Sequence, residues 1–152
     1  MDALYSVMVV GSGVAAHLLI AAMFVLRVTA PSRAHAWGLA GTAAAIPLTI
    51  AAVRAFVVGG EPWAVVLPLV FVAFAVVEVL VDDVVHFDVR HSRWLGPYLA
   101  LFYAGSWGLI GAAFLASPLG GFMVLGSYFV CLAATFWSYR RVGHGEPVHL
   151  PS

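Results

Sequence analysis

The sequence predicts an all-α integral membrane protein, a bundle of five transmembrane helices with the N-terminus outside and the C-terminus cytoplasmic. Three observations lead there. The 152 residues are 63% hydrophobic and only 9% charged, where a soluble domain carries about 25% charged residues. Five apolar runs reach the roughly 20 residues that a hydrocarbon crossing needs. The arginines fall almost entirely on one side of the five crossings, and that fixes the orientation.

The runs are about 4–26, 37–58, 63–85, 95–116 and 119–139. The first ends at Arg27 and the polar stretch Thr29-Ala30-Pro31-Ser32-Arg33-Ala34-His35. The second is interrupted by Pro47 and closed by Gly59-Gly60-Glu61-Pro62, a turn signal. The third opens on Trp63 and contains Pro68, the fourth begins Trp94-Leu95-Gly96-Pro97-Tyr98, and the fifth follows Ser117-Pro118 and ends at Tyr139-Arg140-Arg141. Residues 1–141 are thus read as one transmembrane domain, and 142–152 as a short cytoplasmic tail. The opening Met-Asp-Ala-Leu-Tyr-Ser lacks a basic n-region, so the first run is expected to be a retained helix rather than a signal peptide.

With five crossings, Arg27, Arg33, Arg90, Arg93, Arg140 and Arg141 share one side, and only Arg54 stands on the other. Positive charge is retained in the cytoplasm, so the expected location is the cytoplasmic (inner) membrane, multi-pass. Aromatic residues at the run ends, among them Trp37, Trp63, Trp94, Tyr98 and Tyr139, suit interfacial belts. A formal net charge of zero argues against nucleic acid as a partner. The single cysteine, Cys131, excludes an intrachain disulfide.

Chemistry concentrates between Glu78 and Arg93, where four carboxylates, two histidines and two arginines occur within sixteen residues. If the third helix continues regularly, Glu78, Asp82, His86 and Arg90 stack along one face at four-residue spacing, with Asp83 beside His86. At ~1.5 Å per residue Glu78 lies roughly 10 Å inside the cytoplasmic edge. Ionisable groups at such depth are functional candidates by default. The expected proton, cation or substrate site is therefore Glu78, Asp82, Asp83 and His86, with His17 of the first helix at similar depth. Arg27, Arg90, Arg93, Arg140 and Arg141 are expected to meet lipid head groups or pair with rim acids.

The favoured function is proton- or cation-linked transport along this ladder, ending at the cytoplasm. One alternative is a membrane-embedded enzyme, metal- or lipid-dependent, using the same cluster. Another is an accessory subunit in which the ladder is an ion-pair network. No cofactor is expected, but Glu78, Asp82 and His86 offer oxygen and nitrogen donors for a divalent metal. Against a di-metal site, Glu/Asp-x-x-His occurs once, at Asp83–His86, where a bundle site repeats it. Depth alone would allow a Ser106–His17 dyad, as in an intramembrane serine hydrolase, but Ser106 lacks the strand-to-helix elbow.

Two further faces matter. Ala100, Ala104, Gly108, Ala112 and Ala116 recur every four residues, a small-residue seam for close helix approach. The Ala104/Gly108 seam makes a homo-oligomer or a larger membrane complex the expected partner besides the lipid bilayer. Ser127, Cys131, Thr135 and Tyr139 form a mildly polar stripe, whose hydroxyls are expected to bond the preceding turn of their own helix.

Overall fold

The computed structural model describes residues 3–86, 89 and 92–143. The described residues are helical with short connections. In chain order the helices are α1 (Ala3–Thr29), α2 (Pro31–Thr42), α3 (Ala45–Val57), α4 (Pro62–Val79), α5 (Leu95–Ala116) and α6 (Pro118–Val142). A π-helical segment, Leu80–Val85, prolongs α4. Taking α2 with α3, and α4 with its π extension, five helical spans are long and apolar enough to cross a membrane.

Prolines set most of the boundaries. Pro31, Pro62 and Pro118 each open a helix, where a missing N–H goes unnoticed and φ is already set. Ser117 caps the last of these, its hydroxyl accepting from the Gly120 N–H at 3.0 Å. The stretch expected as a polar connection before residue 37 is helical from Pro31, leaving only Ala30 between α1 and α2. The second run is divided because Pro47 cannot donate to the Ala43 carbonyl. The chain tightens there instead: Ala44 N–H bonds Gly41 and Ile46 N–H bonds Ala43, at 3.3 and 3.1 Å.

Pro68 lies buried inside α4 and leaves the Ala64 carbonyl without its helical donor. Tyr5 of α1, itself buried, fills that position, its hydroxyl donating to Ala64 O at 2.9 Å.

Helix α1 packs against α2, α3, α5 and α6, while α4 packs between α3 and α5. The shared core contains Val9, Leu48, Phe71, Leu109 and Val124, all with no exposed surface. Small residues allow the closest crossing. A Cβ added at Gly108 would lie 2.6 Å from the Leu67 carbonyl oxygen, and one at Gly105 3.1 Å from Phe71 Cα. The α5 seam is therefore filled at Gly108 by α4 of the same chain, while Ala104 stays exposed. Outside, Ile46, Ile50, Phe56, Phe122, Phe129 and Phe136 present large apolar side chains.

Candidate functional site

The regular ladder expected below Glu78 ends at Val79. From Leu80 the backbone is π-helical, and the His86 N–H reaches back five residues to Val81 O. A wider turn places four-spaced side chains at different angles, so Glu78, Asp82 and His86 no longer stack. His86 ends the segment in a left-handed conformation (φ 53°) that His tolerates better than most residues, and its side chain is exposed. Arg90, expected as the ladder's fourth member, lies outside the described residues, as do Asp88 and His91.

Glu78 and its surroundings form two adjoining cavities of about 300 Å³ each. One faces the chain end of α4 and is lined by Arg27, His35, Glu78, Asp82 and Asp83, with Met23, Gly38 and Thr42 on its floor. The other is lined by Phe24, Phe74, Tyr98, Phe102 and Tyr139, among others, and at its edge by the outward-facing Phe136. Arg27, Glu78, Met23, Gly38 and Thr42 border both. Glu78 thus sits at the junction of a polar mouth and an aromatic interior. The Tyr98 hydroxyl donates to Glu78 Oε2 and fixes the direction of the carboxyl group.

The mouth is bridged on its outer side. His35 Nε2 of α2 lies 3.0 Å from Asp83 Oδ1 in the π segment, with the His35 side chain well exposed. Arg27 turns toward the interior, its guanidinium carbon 5.6 Å from the centre of the Phe24 ring. Arg93 instead lies over Trp94, 5.7 Å from the ring centre. Arg93, Arg140 and Arg141 are all exposed.

His17 does not join this site. It is fully buried between α1 and α6, with Nδ1 3.2 Å from Ser127 Oγ and its ring tilted against Tyr128. Ser127 gives its own proton to Val124 O at 2.8 Å, so the His17 Nδ1 is the donor in that pair. Nε2 of His17 and the hydroxyl of buried Ser106 each lack a hydrogen-bond partner among the described residues. The dyad considered from sequence is therefore not hydrogen-bonded. Elsewhere along the stripe, Thr135 bonds Cys131 O at 2.8 Å, the back-bonding expected of a helix hydroxyl.

No group of three or more His, Cys, Asp or Glu side chains is arranged to hold a metal among the described residues. Glu78, Asp82 and His86 in particular do not converge, because the π turn carries His86 away.

Several residues of this site were not singled out from sequence. By sequence Tyr98 and Tyr139 read as interfacial belt residues, Tyr139 also as part of the polar stripe, and His35 as part of a connection. The four-residue spacing of Tyr98 and Phe102 carries a usable signal, since it places an aromatic face beside a hydroxyl donor. His35 gave none, because its partner depends on the π turn.

No family model, curated protein or solved structure matches this chain. The five apolar helices are compatible with a small multi-pass membrane protein, and the functional reading rests on the site itself.

Proposed function

We propose that this is a small proton- or cation-linked transport-type protein of the cytoplasmic membrane, with a small amphiphilic substrate occupying the two cavities around Glu78. The observation that carries this reading is the placement of Glu78 on the wall shared by both cavities, held by Tyr98. A carboxyl group there can hold a proton or face a positive charge, and exchanging one for the other is the simplest coupling step. Asp82 and Asp83 line the polar cavity beside Glu78, which gives the exchanged charge a polar exit. Aromatic walls with a few convergent polar groups are what small-molecule sites in proteins usually present.

The apolar exterior suits a bilayer, and the arginine bias supports a mouth on the cytoplasmic side. Between the two ends of the bundle, Leu48, Phe71 and Leu109 close the interior. Passage therefore requires the helices to part at that level, as in alternating access. Association with a second copy is assigned to the exposed Ala100 and Ala104 end of the seam, because Gly108 is already occupied by α4. A hydrolase built on Ser106 and His17 has less support, since neither lines these two cavities.

The test is proton movement in liposomes holding the purified protein, followed with an internal pH dye when a gradient of Na⁺, K⁺ or a small organic cation is imposed. Wild-type protein is expected to move protons faster than empty liposomes, and Glu78→Gln to abolish the excess while melting at a similar temperature. Equal proton movement by the two proteins, or none above the empty liposomes, would overturn the reading.

A further inference from the structure

Resting on the Glu78 site just proposed, we infer that its substrate class is a compact organic cation, with a positive head at the carboxylates and an aromatic or aliphatic body in the interior cavity. Three observations lead to this class.

The first is charge. Among the described residues, three carboxylates, Glu78, Asp82 and Asp83, border the two cavities, against one arginine, Arg27. With His35 neutral the local balance is one minus three, or −2, and with His35 charged in its bridge to Asp83 it is −1. Either way an anionic head group is disfavoured and a cationic one is attracted. Among the described residues that line the cavities Arg27 is the one arginine, and the carboxylates outnumber it in both protonation states of His35.

The second is the wall. Phe24, Phe74, Tyr98, Phe102, Phe136 and Tyr139 surround the interior cavity. Ring faces attract cations, by about 2 kcal/mol or more where water is excluded. Arg27 over the Phe24 ring shows that this wall already accommodates one cation. The third is size. Each cavity is about 300 Å³, at the small end of ligand pockets. A single-ring ammonium compound fits that volume, and a two-chain lipid does not.

The experiment is isothermal titration of the full-length protein in detergent with three probes of similar body: benzyltrimethylammonium, benzyl alcohol and phenylmethanesulfonate. The cation should bind at least about tenfold more tightly than either of the others. Glu78→Gln should remove that preference. Glu78→Asp, which keeps the charge, should retain it. Leu99 also lines the interior cavity, and Leu99→Trp, which fills it, should weaken all three probes.

If benzyl alcohol binds and is lost in Leu99→Trp, but the cation shows no advantage, the cavity is a ligand site and the cation proposal fails. Preference for the sulfonate would likewise overturn it and make Arg27 the dominant charge. If no probe binds, or the cation binds equally well to the Leu99→Trp and Glu78→Gln proteins, the underlying site assignment fails with it.

Discussion

The Tyr5 hydroxyl donates to the Ala64 carbonyl oxygen at 2.9 Å, across a sequence separation of 59 residues, and replaces the donor that Pro68 lacks. One side chain of α1 thereby compensates a break in α4. Removing it leaves a buried carbonyl without a donor, a loss of about 1–2 kcal/mol. Tyr5→Phe should lower unfolding stability in mixed micelles by that amount, whereas Tyr103→Phe, at an exposed ring, should be near neutral. Adding Pro68→Ala supplies an N–H for Ala64 and should shrink the Tyr5→Phe penalty. Independent effects of the two substitutions would show that the hydroxyl is not serving that carbonyl.

Gly108 tests the closest helix crossing. Any side chain there meets the Leu67 backbone 2.6 Å from its Cβ, and backbone cannot rotate aside. Gly108→Ala should destabilise the protein by about 1–3 kcal/mol through overpacking. Gly126→Ala meets nothing within 4 Å and should be neutral or stabilising, by up to about 1 kcal/mol, from helix propensity. Equal melting temperatures for the two variants would mean that α4 and α5 are not held at this distance.

The number and order of the spans were legible in the sequence because apolar length and arginine spacing are local properties. Where prolines act through absent hydrogen bonds, the chain responded in ways that composition does not encode. Pro47 produced a tightened turn inside one span, and Pro68 recruited a partner from another. The site was legible in part. Glu78, Asp82 and Asp83 were identified as polar groups in an apolar run, and they do line the cavities. His86 was placed with them by assuming an α-helical period, which the π turn breaks after Val79. His17 was placed by depth alone, and depth does not say which neighbour a ring faces. Tyr98 and His35 became visible only once α5 and α2 were set beside α4.

Orientation is tested by labelling. In a Cys131→Ser background, Ser92→Cys should be modified by an impermeant maleimide only after the membrane is opened. Glu61→Cys, on the connection between α3 and α4, should be modified from outside in intact cells. The arginine bias motivates both expectations. The reverse pattern would invert the bundle and move the Glu78 mouth to the outer face.

The His35–Asp83 pair spans the mouth, but its His35 side is 64% exposed. Exposed ion pairs contribute about 0–1 kcal/mol. A double-mutant cycle with His35→Ala and Asp83→Asn should therefore give a small coupling in melting experiments. If the bridge limits access to Glu78, both single variants should also speed probe association without changing which charge is preferred. A large stability coupling together with unchanged association rates would make the pair a structural tie and not a gate.

The last prediction separates orientation of the Glu78 carboxyl from its charge. Tyr98 donates to Glu78 Oε2 and also forms part of the interior wall, packed against Phe74 with ring centres 6.0 Å apart. Tyr98→Phe keeps the ring and the packing and deletes only the donor. The carboxylate retains its charge but loses a fixed direction, so a substrate must meet it in fewer productive arrangements. Tyr98→Phe should therefore weaken binding of the cationic probe several-fold, less than the roughly tenfold loss expected of Glu78→Gln. Proton movement in liposomes should be reduced and not abolished. The paired variant, Glu78→Gln with Tyr98→Phe, should be no worse than Glu78→Gln alone, because the hydroxyl acts through the carboxylate. Two independent, additive losses would instead assign Tyr98 its own contact with the substrate, and an unchanged Tyr98→Phe protein would show that Glu78 is held by other groups.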